Sequence, residues 1–466
     1  METVIKIVQF ILSFSILILI HELGHFMFAR MFKMKVEKFY LFFNPGFSIF
    51  RGKKVGGKFR TSWFSKEAPA SWNEAPDNTE YGIGWVPFGG YCKIAGMVDE
   101  SMDKEQMSQP PKADEYRSRP AWQRLLVISG GVIMNVVLAL CIYIGMSYVW
   151  GEKYIANKDM VYGYAFSDLG KQIGFRNGDK ILAIDGKEVK KYKSIYFQLI
   201  TQKNADVMVL RGGDTVQVRV DEFFTPQLVS SEEPLLMPRT PFVVDSILSG
   251  GGAQKAGMAK GDSITGVDGQ DVVFFDQFTD ALAQHKGETV EISLVRDSAG
   301  TKLTKTLPVE VSEDGRIEAA RAMFDHFVKV THTEYSFWQS FPAGIQRTGN
   351  EISNYWKQFK MIFNPKTKAY KSLGGPIAIG SIFPSYWSFE EFWRLTGFLS
   401  IVLAIMNILP IPALDGGHIF FLLVEVITRR KPSDKVLEIA QWIGLIFIFA
   451  LMAFAMGNDI YRFFIK

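Results

Sequence analysis

Four stretches of this chain are apolar over lengths that a water-soluble domain rarely needs, and a long tract of ordinary mixed sequence separates the second from the third. Val4 to Ile20 is apolar except at Lys6, Gln9, Ser13 and Ser15. Similar runs occupy Leu125 to Trp150, Phe398 to Ile411 with a continuation at Ile419 to Ile427, and Ile439 to Met456. A helix needs ~20 predominantly apolar residues to cross a bilayer, so these runs predict four transmembrane helices. The first also has the character of a secretory signal peptide, but no small-residue cleavage site follows it and it runs straight into a charged motif at His21, which favours a retained helix. Arg429, Arg430, Lys431 and Lys435 crowd the short loop between the third and fourth runs, and the positive-inside tendency puts that loop in the cytoplasm. The basic loop from Arg30 to Arg124 then also lies inside, while both termini and the tract from Gly151 to about Ser388 lie outside.

That outer tract contains an internal repeat. Gln172 to Val189 reads QIGFRNGDKILAIDGKEV and Lys255 to Val272 reads KAGMAKGDSITGVDGQDV. Without gaps the two share Gly174 with Gly257, Gly178 with Gly261, Asp179 with Asp262, Ile181 with Ile264, Asp185 with Asp268, Gly186 with Gly269, and Val189 with Val272. Each copy has a glycine turn, a β-rich stretch and an Asp-Gly hairpin signal. A helical stretch and a further strand follow, Asp206 to Leu210 in the first copy and Thr289 to Val295 in the second. The order resembles tandem PDZ domains of the circularly permuted bacterial kind. Such domains add a peptide to a sheet edge; a spacer or size filter above the membrane is the plainer alternative. Beyond the repeats, Phe337, Phe341, Ile345, Ile352, Trp356 and Phe359 recur at helical spacing, which suits either an interfacial amphipathic helix or one packed on the second repeat. Gly374, Gly375 and Pro376 then break the chain.

Candidate chemistry sits at the end of the first run, where His21, Glu22 and His25 form H-E-x-x-H. Residues four apart share a helix face, so both imidazoles can reach one zinc ion at ~2.0–2.1 Å. Glu22 beside them is placed to act as general base toward a water whose pKa zinc lowers to about 7. Burying such groups near lipid is costly and generally marks a functional site, whereas the bland alternative is a pair of helix-end histidines facing interfacial water.

A catalytic zinc site needs a third protein ligand and an open position. Asn407 to His418 reads NILPIPALDGGH and offers Asp415. His21 lies about 17 residues past the start of its run and Asp415 about as far past Phe398, so at ~1.5 Å per residue the two fall at similar depth. Pro410 and Pro412 predict an interruption of the third helix, which is tolerated at membrane depth only where protein or a wet cavity covers it. Asn407 is placed to hydrogen-bond substrate or brace the site, with helix packing as the alternative, and His418 stays unassigned.

HELGH in the first helix, NILPIPALDGG in the third and two PDZ-like repeats between them resemble the site-2 protease family, specifically its bacterial RseP-type members, over essentially the whole chain. The resemblance implies zinc ligands at His21, His25 and Asp415, a catalytic glutamate at Glu22, and cleavage of single-span membrane proteins in a bacterial inner membrane. Its implied substrates are an anti-sigma factor already shortened outside the membrane and remnant signal peptides. SGGVIMN resembles a family motif ending in a substrate-contacting asparagine, here Asn135, with Val132 where relatives often carry proline; Ser129, Gly130 and Gly131 also permit close helix packing. The resemblance further suggests that β-like stretches at Val36 to Phe50 and Tyr81 to Ile94, with Gly89 and Gly90 in the second, form a hairpin dipping toward the zinc. Its edge would hold the substrate as an added strand, against the alternative of a simple cytosolic anchor.

The expected fold is thus a polytopic α-helical membrane protein of four transmembrane helices with two β-rich PDZ-like domains inserted between helices two and three. The expected segments are a first helix at 1–33, an inside loop at 34–120, a second helix at 121–150, repeats at 151–225 and 226–315, a linker at 316–386, a third segment at 387–428 and a fourth helix at 436–460. A net charge of +4 over 466 residues gives no case for nucleic acid. Cys92 and Cys141 are not placed to form a disulfide in the outer tract. The rival functions are a PDZ-based peptide-sensing scaffold and a metal transporter, although one ligand cluster is not the chain of sites that transport needs.

Overall fold

The computed structural model describes residues 2–87, 89–97, 110–231, 233–298 and 300–465. The chain divides into two units, one built from residues 1–151, 334–356 and 373–466 and the other from residues 152–333 and 357–372. Among the described residues four helices are long and apolar enough to cross a membrane, at Glu2–Met31, Ala121–Trp150, Phe389–Ile408 and Lys435–Phe463.

In the first unit, helix α1 (Glu2–Met31) turns the usual pattern inside out. The polar residues that interrupt its apolar run form its packing face, because Gln9, Ser13, Leu17, His21 and His25 recur every four residues and are all buried. Val4, Ile7, Val8, Ile11 and Leu12 remain exposed, as a lipid-facing surface requires.

A five-stranded sheet follows, made from β1 (Val36–Leu41), β2 (Ser48–Val55), β3 (Lys58–Ser65), β4 (Glu80–Ile83) and β5 (Tyr91–Ile94) in the order β3-β2-β4-β1-β5. This corrects the expected hairpin. Val36 to Phe50 is not one strand but two, β1 pairs with β4 in parallel and with β5 antiparallel, and Lys58–Ser65 supplies a strand that the two apolar stretches did not reveal. Phe88, within the second stretch, and residues 98–109 of the same loop lie outside the described residues.

Helix α2 (Ala121–Trp150) crosses α1 with backbones almost touching, since a Cβ at Gly24 would lie 2.2 Å from the Gly130 carbonyl oxygen. Helix α3 (Phe337–Ile362) is held by small residues: Ser340, Gly344 and Thr348 are buried, and a Cβ at Gly344 would meet Ile144 of α2 at 2.5 Å. Of the stripe read from the sequence, Phe337, Phe341, Ile345 and Trp356 stay exposed, while Ile352 packs against the core cluster of Tyr143 and Met146.

The third span is helix α4 (Phe389–Ile408), nine residues earlier in onset than the apolar run because Ser388 caps it and Glu390 and Glu391 occupy its first turn. Helix α4 stops before Pro410, and α5 (Asp415–Thr428) begins after residues 409–414, so the interruption expected from Pro410 and Pro412 is present. Asp415 opens the new helix. Arg124 of α2 pairs with Glu425 of α5 and ties the far end of α5 to α2. The fourth span is helix α6 (Asp434–Ile460), mostly exposed along its length.

The second unit has two hydrophobic cores. The aligned repeat positions do the same work in both. Arg211 donates to both carboxylate oxygens of Asp179, at 2.8 and 2.7 Å, and to the Gly174 carbonyl. Arg296 does so to Asp262, at 2.6 and 2.7 Å, and to the Gly257 carbonyl. Asp185-Gly186 and Asp268-Gly269 each have two successive positive φ angles, 49° and 72° then 46° and 77°, the turn expected of Asp-Gly hairpins. The first core reaches past residue 225, however. Leu228, Leu235 and Leu236 belong to it, and Leu236–Pro238 pairs with Tyr164–Phe166. The second core extends past 315 to Ile317. Both free cysteines lie in the first unit.

Replacing Asp262 by alanine strips Arg296 of a bidentate, charge-assisted partner, a loss of about 2 kcal/mol. Hydrogen exchange on the intact chain should then show amides of Ser263–Val267 opening roughly 30-fold more often, at about 1.4 kcal/mol per tenfold. Unchanged protection would show that the pair contributes nothing to the repeat.

Candidate active site

His21 and His25 project from successive turns of α1, and Asp415 arrives from the first turn of α5. Their ligand atoms form a small triangle. Asp415 Oδ2 lies 3.1 Å from His21 Nε2 and 3.5 Å from His25 Nε2, and the two imidazole nitrogens are 3.3 Å apart. Three donors held tetrahedrally at ~2.0–2.1 Å from one cation stand about 3.3 Å from one another, so the triangle has the size a zinc ion requires. Asp415 Oδ2 is buried and makes no hydrogen bond, despite the imidazoles beside it. A buried carboxylate oxygen without a donor is costly, and a cation removes that cost. Among the described residues this is the cluster with metal-ligand geometry, and His418 lines the same cavity without belonging to it.

The nitrogens pointing away from the triangle are held from behind. His25 Nδ1 lies 2.9 Å from the Val127 carbonyl oxygen, which fixes a hydrogen on Nδ1 and leaves Nε2 free to coordinate. His21 Nδ1 lies 3.0 Å from the Asn135 amide, whose Oδ1 has no partner as placed. Amide oxygen and nitrogen are equivalent in shape, and exchanging them lets Oδ1 accept from His21 Nδ1–H and satisfies both groups. Asn135 is fully buried and its own carbonyl accepts from Ser400 of α4. It stands behind His21 and not in the cavity, which departs from the substrate contact expected of it.

Glycine makes the convergence possible. A Cβ at Gly131 of α2 would lie 2.4 Å from His21 Cε1 and 2.6 Å from His25 Nε2, so any other residue there would displace both rings. The sequence signal for this was the SGG run, legible as close packing but not as a cradle for imidazoles.

The triad opens on a cavity of about 710 Å³ lined by Glu22, Gly89, Gly90, Asn407 and every residue of β5. Glu22 accepts a hydrogen bond from the backbone N–H of Cys92 in β5. A Cβ at Gly90 would lie 2.6 Å from the Tyr40 carbonyl oxygen, 2.8 Å from Ile18 and 3.4 Å from the Glu22 side chain, so the bare backbone at Gly90 is what seats the edge of the sheet against Glu22. Asn407 Nδ2 is 3.3 Å from His21 Nε2, beside the triangle. The structure thus brings seven of the eight expected site residues to one cavity and puts the eighth, Asn135, directly behind it.

The chain matches the model of peptidase family M50 over residues 9–65 and 67–451. It is 27% identical to a putative zinc metalloprotease of Vibrio cholerae over 98% of each chain. It is 26% identical to the regulator of sigma E protease of Haemophilus influenzae, over 97% of this chain and 98% of that one. Protease RseP of Yersinia pestis is 25% identical over 98% of each. A family match that runs through the helix bearing His21, the helix bearing Asp415 and nearly everything between them leaves one conclusion, that this chain belongs to peptidase family M50, the site-2 proteases.

Proposed function

We propose that the chain is an intramembrane zinc endopeptidase that cuts transmembrane segments of single-span membrane proteins, with His21, His25 and Asp415 holding the zinc and Glu22 acting as general base. The observation that carries this reading is the triangle of ligand atoms with 3.1, 3.3 and 3.5 Å edges, assembled from two membrane-spanning or membrane-depth elements around an unsatisfied carboxylate oxygen. Zinc, when bound, supplies the Lewis acidity that makes water a nucleophile near neutral pH and polarises a peptide carbonyl.

The protein's own groups do the rest. Glu22 takes the proton of the attacking water and returns it to the leaving amide nitrogen, and its hydrogen bond from Cys92 N–H keeps the carboxylate aimed into the cavity. Asn407 donates to the oxygen on which negative charge develops. Val127 and Asn135 hold the imidazoles so that each presents Nε2. A transmembrane helix hides its carbonyls, so the scissile segment must be extended before attack. Strand β5 ends the sheet order among the described residues and lines the cavity, and its outer edge receives the substrate as a further strand.

The two repeats act as PDZ-like domains on the extracytoplasmic side, with both termini on that side and the basic loops within, an arrangement supported by the charge bias of Arg429, Arg430, Lys431 and Lys435. Relatives named as regulators of sigma E support an anti-sigma factor, already cut outside the membrane, as one substrate, and remnant signal peptides share its single-span form.

Glu22→Gln should keep one zinc per chain by elemental analysis while cleavage of a model single-span substrate falls at least about a hundredfold, the lower range of general-base contributions; a chelator should abolish cleavage by the parent protein. Full activity in either case would defeat the assignment. Gly131→Ala should lose both zinc and activity, since the added carbon falls between the imidazoles; retention of a full zinc complement would show that the helices simply separate to admit it. Gly90→Pro should retain zinc but cleave at least about tenfold more slowly, because it removes an edge N–H and crowds the Tyr40 carbonyl and Ile18. Parent-like rates for this variant would argue against strand addition at β5.

A further inference from the structure

The cavity carries charge that the proteolytic chemistry does not use. Lys38 of β1 and Lys93 of β5 stand directly opposite each other in the antiparallel pair, and both line the cavity. Like charges placed opposite each other destabilise a sheet, and natural sequences keep such local conflicts mainly at functional sites. Glu37 lies 3.4 Å from Lys93 Nζ. Among the described residues no carboxylate pairs with Lys38.

Strand alternation fixes where this charge faces. Lys38 and Tyr40 share one face of β1, and Tyr40 stacks on Tyr91, another lining residue, with ring centroids 5.1 Å apart. Phe39 between them takes the opposite face and packs on Phe26 of α1 and Tyr81. Lys38 and Lys93 therefore share one face of the sheet with Tyr40 and Tyr91, and a peptide paired to β5 turns every second side chain toward that face. That placement favours a peptide anion over a lipid phosphate.

Resting on the protease reading above, we propose that Lys38, with Lys93 beside it, forms a subsite for a carboxylate of the peptide substrate. The carboxylate is either an acidic side chain near the scissile bond or the C-terminal carboxylate that cleavage creates. Both present the same chemistry, a peptide carboxylate meeting an ammonium in a partly desolvated cavity, where charge-assisted contacts are strongest.

The test uses the full-length protein in vesicles and a neutral single-span substrate in which aspartate, and separately lysine, is walked from four residues before to four after the scissile bond. The quantity read is the ratio of kcat/KM for each charged substrate to that for the neutral one, within each variant, so differences in folded fraction cancel. For the side-chain source, aspartate at one or two neighbouring positions raises the ratio about tenfold, Lys38→Met flattens it and Lys38→Glu transfers the preference to lysine. For the product source, a product peptide with a free C-terminus inhibits the parent about tenfold better than its amide, and Lys38→Met removes that difference. A flat scan together with equal inhibition by acid and amide overturns the subsite, as does a Lys38→Glu effect that follows only the anionic lipid content of the vesicles. Chelator-sensitive cleavage of the neutral substrate by the parent separates these outcomes from a failure of the protease reading itself.

Discussion

Gly131 has a hydrogen where any other residue would put a carbon 2.4 Å from one histidine and 2.6 Å from the other, and the membrane half of the molecule is arranged around that missing atom. Two imidazoles and a carboxylate can share a cation only if their donor atoms come within about 3.3 Å of each other. Helices with ordinary side chains between them stand 8–10 Å apart, too far for such sharing without cost. Glycine at 24, 130 and 131 brings α1 and α2 to backbone contact, and the backs of both rings then find Val127 and Asn135 on α2 without further adjustment. Close packing and histidine orientation are here one constraint.

Asp415 meets the same demand by a different route. A continuous third helix would carry its ridge past the site, whereas the break at residues 409–414 lets α5 start afresh with Asp415 in its first turn. The break has its own glycine requirements, because Cβ atoms at Gly416 and Gly417 would strike the backbone at Leu409 and Pro412. Irregular backbone at membrane depth survives only beside protein or water, and Ala413 and Leu414 of the break line the cavity.

The sheet adjoins the same cavity. Its outer strands differ in character: β3 leaves Phe59, Trp63 and Phe64 exposed, while β5 lines the cavity and ties its backbone to Glu22 through Cys92. A sheet that ends in an open edge is usually an aggregation hazard. Here β5, last in the strand order among the described residues, lies along the cavity, with Lys38 of β1 and Lys93 of β5 opposite each other beside it.

Much of this was legible in the chain because short-range rules govern it. Four-residue spacing puts His21 and His25 on one face, the prolines at 410 and 412 end a helix, and the Asp-Gly pair in each repeat gives the same turn twice. Asp415, the ligand the motif suggested, lies with its carboxylate beside both imidazoles, while His418 is not part of that cluster. What the sequence left undecided depends on contacts between residues far apart in the chain. Asn135 reads equally well as facing substrate or packing, and only the rotation of α2 against α1, 114 residues away, turns it toward His21 Nδ1. The aromatic stripe of α3 suited either an interfacial helix or packing on the second repeat, and only the close approach of Gly344 to Ile144 shows which residues meet α2. Parallel pairing of β1 with β4, and the return of residues 228–238 to the first repeat's core, involve partners that no local pattern announces. Periodicity along a helix or strand fixes which face a residue occupies; only tertiary packing decides what that face meets.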